Sequence, residues 1–395
     1  MGGKRIVLGV TGSIAAYKAA DLTSKLVQQG ALVDVVMTEG AVNFVAPLTF
    51  RSLTHRPVLH RLFDPASDAG IEHVALAESC DGIVVAPATA NLMAKAANGL
   101  ADDLLTCMLL ATRRPVVLAP AMDGYMFDNP TTQDNAAKLV DRGWTLVGPG
   151  EGRLASGLVG RGRLADTEDV IGALKQELGR GGDLAGKSVV VTAGGTQEPI
   201  DPVRHIGNRS SGKMGYAIAE AARDRGASVT LVSTQTSLRK PYGVKLLRAD
   251  TAADMREAVV SRAPSAHILF MAAAIADYRP TTEAEHKIKK SGGGLTLELR
   301  ETADVLAEAT GDGLVKVGFA AESRDTVENA RDKLRKKGLD LIVANNITSE
   351  GSGFGSDTNR VVIIDRDGGE EELPLLPKSE VAHVVLDRAA AVSKG

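Results

Sequence analysis

Several loops of this chain gather residue types able to hold anions, move protons or activate a carboxylate. Gly9-Val-Thr-Gly-Ser-Ile-Ala-Ala-Tyr-Lys18 follows an apolar run. Its glycines permit a tight turn, and the free amides of a helix beginning there can hold a phosphate. The Gly-x-x-Gly-Ser spacing is not the dinucleotide fingerprint, and taken alone the segment could equally be a structural turn. Val85-Ala-Pro-Ala-Thr-Ala-Asn-Leu92 and Ala119-Pro-Ala-Met-Asp-Gly-Tyr-Met126 each place a polar, sharply turned loop directly after an apolar strand. Leu154-Ala-Ser-Gly-Leu-Val-Gly-Arg-Gly-Arg163 has the glycines of a mobile lid and arginines that could meet phosphate or carboxylate.

The second half carries a different set. Thr192-Ala-Gly-Gly-Thr-Gln-Glu-Pro-Ile-Asp-Pro-Val-Arg204 and Ile206-Gly-Asn-Arg-Ser-Ser-Gly-Lys-Met-Gly215 have the Gly/Ser-rich grammar of a strand-to-helix phosphate loop. They lack the Walker spacing, which speaks against an ordinary nucleoside triphosphatase. Met271-Ala-Ala-Ala-Ile-Ala-Asp-Tyr-Arg279 leads from an apolar strand to the basic run His286-Lys-Ile-Lys-Lys290. Lys333 and Lys337 are four apart, so one helical face can aim both at the same phosphates.

Such loops need a scaffold. Strand-like runs are predicted at residues 5–10, 32–37, 82–86, 115–119, 187–192, 228–232, 267–271, 314–319 and 339–344. Amphipathic helical segments lie between them, among others at 15–29, 102–112, 214–225 and 325–337. This alternation predicts an α/β fold with mostly parallel sheets, Rossmann-like and three-layered, whose ligands bind at the carboxyl ends of the strands. The pattern starts twice, and the glycine-rich stretch Leu178-Gly-Arg-Gly-Gly-Asp reads as a linker. We therefore expect two domains, residues 1–182 and 183–395. Residues from 347 onward are less informative, although 351–355 has the composition of a flexible flap over a nucleotide.

Composition narrows the classes. Apolar residues at 44% suffice for two cores, while 3% aromatics and a net charge of -3 argue against a nucleic-acid surface. Two cysteines, Cys80 and Cys107, exclude a disulfide framework or a thiolate-rich metal site. No apolar stretch reaches the ~20 residues of a spanning helix. The chain is expected to be soluble and cytoplasmic, without membrane contact.

The three polar loops of the first half resemble the flavin-dependent phosphopantothenoylcysteine decarboxylases, in which Pro-Ala-Ser/Thr-Ala-Asn and Pro-x-Met-Asn-x-x-Met recur in this order. The resemblance implies a flavodoxin-like domain that binds FMN through Gly12, Ser13, Thr38, Ala88 and Thr89. It also implies trimers with the active site at a subunit interface. His73 matches the catalytic histidine, which takes a proton as the substrate thiol is oxidised so that CO2 can leave. Two positions depart from the family pattern: Asp123 stands where an asparagine is usual, and Ser156 where the lid carries a catalytic cysteine. An ionised Asp123 would repel a substrate carboxylate, and a serine is a far weaker acid than a thiol. Glu151 is a candidate substitute acid.

Asn-x-Ser-Ser-Gly-Lys-Met-Gly resembles the phosphopantothenate–cysteine ligases. By that likeness Asn208 converts an acyl-nucleotide intermediate to product, and Ser210, Ser211 and Gly212 face the substrate phosphate. CTP is then held by Met271, Ala272, Ala273, Asp277, Lys287, Ala303, Asp304, Val305, Leu306, Phe319, Lys333 and Lys337, with Lys287 also catalytic. Mg2+ rides on the CTP phosphates, with no side-chain metal ligand assigned. Together the halves resemble the bifunctional decarboxylase–ligase (CoaBC) family of coenzyme A biosynthesis. Its trimeric decarboxylase and dimeric ligase contacts would close a homo-dodecamer. The alternative is an active ligase whose flavin half has lost decarboxylation and serves only oligomerisation.

Overall fold

The computed structural model of the chain describes residues 1–62, 69–290, 292–322, 325–346 and 355–393, with backbone alone at 69–73, 322 and 346. Most of the expected flap, 351–354, lies outside the described residues. Two compact units part between Leu178 and Gly179.

In the first unit, strands β1 (Arg5–Val10), β2 (Leu32–Met37), β3 (Val58–Leu59), β4 (Gly82–Ala88), β5 (Val116–Pro120) and β6 (Thr145–Leu146) form one parallel sheet in the order 3-2-1-4-5-6. Its central strands are nearly continuous apolar runs because helices cover both faces. Apart from the two-residue β3 at its edge, the order is the 2-1-3-4-5 order of flavodoxins. Strands β7 (Gly150–Arg153) and β8 (Val159–Arg163) form a separate antiparallel hairpin.

The second unit repeats the plan from β9 (Ser188–Ala193). With β12 (Ser228–Ser233), β13 (Lys245–Arg248), β14 (Ile268–Met271), β17 (Val315–Glu322) and β18 (Leu341–Asn346) it makes a parallel sheet. The order is 13-12-9-14-17-18, extended by antiparallel β20 (Val361–Asp365) and β21 (Glu370–Glu372). Small hairpins stand outside the sheet: β10 (Gln197–Asp201) with β11 (Arg204–Gly207), β15 (Tyr278–Pro280) with β16 (Leu299–Glu301), and β19 (Thr358–Asn359) with β22 (Leu376–Pro377). The nine expected strands are all present, each within two or three residues of its predicted ends.

Three features differ from expectation. The Gly179–Gly182 stretch is packed against its own unit: a Cβ on Gly179 would lie 1.8 Å from Asp224 O, and one on Gly182 2.5 Å from Arg225 O. Gly179 and Gly182 serve close approach, whereas composition alone reads the stretch as a linker. The segment expected to be a lid is the turn and second strand of the β7–β8 hairpin. The final part of the chain, poor in motifs, forms helix Lys378–Val392, whose Val381, Ala382, Val385, Leu386, Ala389 and Ala390 are buried in the same core as helix Lys213–Arg223.

That second helix sets the position of a phosphate-type loop. A Cβ on Gly215 would meet Thr192 O at 2.6 Å and Ala193 Cβ at 2.7 Å, so the helix lies directly on the end of β9. Gly215→Ala is expected to push the helix outward and destabilise the second unit by about 1–3 kcal/mol, the usual cost of overpacking. Gly181→Ala, where nothing stands within 4 Å, should be close to neutral. Denaturant unfolding of the two variants tests this, and equal midpoints would contradict it.

Candidate functional site

In each sheet the strand order reverses beside the first strand, between β1 and β4 and between β9 and β14, and the crevice at such a reversal is where α/β sheets bind ligands. In the first unit three hydroxyl residues cap helices at the carboxyl ends of β1, β2 and β4. Ser13 Oγ accepts from Ala15 N, Thr38 Oγ1 from Ala41 N and Thr89 Oγ1 from Leu92 N, each at 3.3 Å. A hydroxyl that accepts in this way still has its hydrogen to give to a ligand oxygen. A Cβ on Gly12 would sit 2.9 Å from Gly40 C, so two backbones meet there with no room for a side chain at residue 12. Ala88 lies on the buried end of β4 and its carbonyl accepts from Ala121 N at 3.1 Å. The donor set and the bare backbone fit a phosphate-bearing planar cofactor.

Thr11, not singled out from sequence, holds this crevice together. Buried, it donates to Pro87 O at 2.7 Å and accepts from Thr89 N at 3.2 Å, joining the two loops across the strand reversal. A lone threonine after an apolar run gives no signal until the topology is known.

The two departures from the family pattern touch. Asp123 caps helix Gly124–Asp128, with Oδ1 accepting from Tyr125 N at 3.1 Å, and Oδ2 accepts the hydroxyl of Ser156 at 2.6 Å. The hairpin reaches Asp123 because Met122 N donates to Gly162 O at 3.0 Å. Gly162 has φ +148°, and a Cβ there would lie 2.3 Å from Met122 O. Arg161 stacks its guanidinium 5.2 Å from the Phe127 ring centroid, which uses one of the arginines expected to meet a ligand. Glu151 is exposed on β7, paired in register with Arg161; the carboxylate that meets Ser156 is that of Asp123. His73 lies in helix Ala69–Ser79, and its side chain is outside the described residues.

In the second unit a cavity of about 730 Å3 opens at the strand reversal. One wall is Asn208, Ser210, Ser211 and Gly212, at the start of helix Lys213–Arg223. A second is Met271, Ala272, Ala273 and Asp277; a third is Ala303, Asp304, Val305 and Leu306. Phe319, Lys333 and Lys337, also predicted, line it as well. Side-chain hydrogen bonds to the backbone tie the walls together. Thr192 Oγ1 accepts from Ala273 N at 3.0 Å and Thr196 Oγ1 from Ala276 N at 2.9 Å, while Thr302 donates to Ala276 O at 2.6 Å. Asn208 Nδ2 donates to Ile275 O at 2.9 Å. Lys333 donates to Phe319 O at 2.9 Å, and Lys337 pairs with Asp304. Burial pushes the Asp304 carboxyl up, but Lys337 and the Ala307 amide outweigh it and hold it below the usual range.

Lys287 is not among the lining residues. It is exposed, beside a latch in which buried Asp201 binds the Arg204 guanidinium and accepts from Ile288 N at 3.1 Å, while Arg204 donates to Ile288 O at 2.7 Å. The cavity adds residues that sequence reading did not assign: Lys213, Asn345, Asn359 and Lys378. The last two come from the motif-poor end of the chain, where no local pattern marks them. Among the described residues no cluster of three or more His, Cys, Asp or Glu could hold a metal ion, and no helix is long and apolar enough to cross a membrane.

Comparison with known proteins matches residues 1–179 to the family described as Flavoprotein and residues 184–392 to the DNA/pantothenate metabolism flavoprotein C-terminal domain. The coenzyme A biosynthesis bifunctional protein CoaBC of Bacillus subtilis (strain 168) is 47% identical over 99% of this chain and 98% of its own. That of Escherichia coli (strain K12) is 42% identical over 98% and 97%. A crystal structure of the C-terminal domain of such a protein is 40% identical, covering 54% of this chain and 98% of its own, with a TM-score of 0.46.

The latch at Asp201 makes a pH prediction. The Arg204 guanidinium, aided by backbone amides, holds the Asp201 carboxyl far below the ordinary range. A carboxyl depressed on folding contributes stability that is whole above its unfolded pKa, about 3.9, and is lost only as pH falls through the folded value. The Ile288 amide should therefore stay protected from hydrogen exchange at pH 4, and Asp201→Asn should expose it already at neutral pH. Equal protection in variant and parent would count against the latch.

Proposed function

The chain belongs to the family of bifunctional coenzyme A biosynthesis proteins, and we propose that it joins cysteine to 4'-phosphopantothenate and then decarboxylates the adduct to 4'-phosphopantetheine. The observation that carries this reading is the single cavity lined by the three loops, Phe319 and the lysine pair assigned to nucleotide and acyl substrate.

For ligation, CTP enters with Mg2+ on its phosphates, and Lys333 and Lys337 meet those phosphates from one helix face. The substrate carboxylate attacks the α-phosphorus, pyrophosphate leaves, and the cysteine amine displaces CMP from the acyl-cytidylate. Asn208, with one amide hydrogen given to Ile275 O, retains a second hydrogen and its carbonyl oxygen to orient the acyl group. Asp277 and Phe319 lie along the nucleotide. Lys287 would need movement of its loop, or a partner subunit, to reach the phosphates.

For decarboxylation, FMN when bound supplies the reversible two-electron oxidation of the substrate thiol. Gly12, Ser13, Thr38, Ala88 and Thr89 hold it, and His73 receives the thiol proton. Ser156 and Asp123 act as one unit. The Ser156 hydroxyl donates to the Asp123 carboxylate; to deliver a proton the pair must first take one up and reverse that bond, so that Asp123 donates to the Ser156 oxygen while the serine gives its hydrogen to the substrate. This supports a working decarboxylase; relatives that are bifunctional over nearly the whole length do not favour a flavin half kept for assembly alone.

The reaction takes place in the cytoplasm on small molecules, with no nucleic acid or membrane involved. Assembly as a homo-dodecamer belongs to the same reading, with exposed Tyr17, Leu48, Tyr125 and Val159 on the first unit open to contact.

The direct test is incubation with 4'-phosphopantothenate, cysteine and either CTP or ATP, with Mg2+, and products read by mass. CMP, CO2 and 4'-phosphopantetheine are expected; a stalled cysteine adduct would remove the decarboxylase, and no adduct would remove the reading. Ser156→Ala should slow CO2-dependent product formation about 10²–10⁴-fold, as loss of an acid catalyst does, and leave ligation intact. Ser156→Cys should retain it. Unchanged decarboxylation in Ser156→Ala would exclude the relay.

A further inference from the structure

The ligase cavity has a cationic corner that the assignments above leave unused. Lys213 stands at the start of helix Lys213–Arg223, directly after Ser210, Ser211 and Gly212, and Lys378 begins helix Lys378–Val392. Both line the cavity, together with Asn359. Lys213 Nζ lies 2.6 Å from Asp357 Oδ1 and 2.7 Å from Gly355 O; Lys378 Nζ donates to Ser356 O. One carboxylate thus faces two ammonium groups, and the Asp357 side chain is 90% exposed. Such a pair is weak in water and yields readily to a stronger anion. Asn359 is only 6% exposed, yet among the described residues its carboxamide oxygen has no hydrogen-bond partner. An orphaned buried polar atom is costly, and its carboxamide can turn to present either end to a ligand.

We infer that Lys213, Lys378 and Asn359, with the helix N-terminus beside them, grip the terminal phosphate of one of the two phosphorylated substrates of the ligation. The inference rests on the ligase reading above. It separates two anion sites in one cavity. Helices Lys213–Arg223 and Lys378–Val392 cover one face of the sheet, and the helix bearing Lys333 and Lys337 covers the other. Lys337 is already matched by Asp304, whereas the Lys213–Lys378 corner keeps an excess positive charge. Burial, and next the charge of Lys213, push the Lys378 ammonium below the usual lysine range, as expected of a cation that lacks its anion. A dianionic phosphate supplies the missing charge and accepts from both lysines and the helix amides. The phosphate is either the monoester of 4'-phosphopantothenate or the end of the nucleotide triphosphate. The two share the same chemistry and differ in which substrate loses affinity when the corner is changed.

The experiment uses the full-length protein. Lys213→Met, Lys378→Met and Lys378→Arg are compared with the parent and with Lys245→Met, an exposed lysine on the edge strand β13. KM and kcat are measured for 4'-phosphopantothenate, for CTP and for pantothenate lacking the phosphate, with unfolding midpoints to establish that each variant is folded. Each methionine variant should raise KM for one phosphorylated substrate about tenfold to a hundredfold, the scale of one lost charge-assisted contact, with a smaller change in kcat. Lys378→Arg should restore part of the loss, and Lys245→Met should change nothing. If the monoester is the ligand, KM for 4'-phosphopantothenate rises and preference over pantothenate collapses. If the triphosphate is, KM for CTP rises instead. Folded Lys213→Met and Lys378→Met variants with both KM values unchanged would overturn the assignment. A parent protein that forms no cysteine adduct would remove the ligase reading itself, a separate outcome.

Discussion

Where a parallel sheet reverses its strand order, two neighbouring loops diverge and leave backbone groups with no ladder partner. Both units of this protein bridge that gap with threonine hydroxyls. Thr11 spans Pro87 O and Thr89 N in the first unit. Thr192 and Thr196 hold the amides of Ala273 and Ala276 in the second. A hydroxyl suits this task because it donates and accepts through one small atom, so it satisfies groups that point in different directions. The crevices depend on these bridges: without them the loops carrying Thr89, Ala273 and Asp277 would each bury an unpaired amide or drift into solvent.

Much of this was legible in sequence because parallel strands buried on both faces read as unbroken apolar runs. Residues 5–10 and 32–37 form strands with the predicted ends, and the repeat of the same plan from Ser188 follows from the second start of the alternation. Antiparallel hairpins such as Gln197–Asp201 with Arg204–Gly207 were not legible, since they are short, half exposed and built from polar residues. Asn359 and Lys378 were missed for another reason. Their place in the cavity is set by packing of the last helix on Lys213–Arg223, some 160 residues away along the chain, and no local pattern encodes that distance.

Asp123 and Ser156 show how two changes that look damaging apart become one arrangement together. Read singly, a carboxylate replaces a neutral donor and a weak acid replaces a stronger one. Thirty-three residues separate them, and at 2.6 Å the serine hydroxyl is held by the carboxylate it needs. The hydroxyl hydrogen of the serine is thereby committed to the carboxylate, which ties the tip of the hairpin to the helix that Asp123 caps. The ion pair of Lys337 with Asp304 follows a similar logic in the other cavity, where the carboxylate also caps a helix and so fixes the lysine relative to the backbone.

The hairpin that carries Ser156 is pinned by backbone and packing at one end, and at its tip by the single hydrogen bond from Ser156 to Asp123. Gly162 and Arg161 press on Met122 and Phe127, while Ala155, Ser156, Gly157, Leu158 and Val159 are exposed, with open space around Gly157 and Gly160. Its tip therefore behaves as an interchangeable cartridge. Substitutions at the open positions of the tip meet no neighbour that must give way, whereas at Gly162 there is no room for a single methyl group. The side chains of the tip can thus change while its landing point on Met122 stays constant.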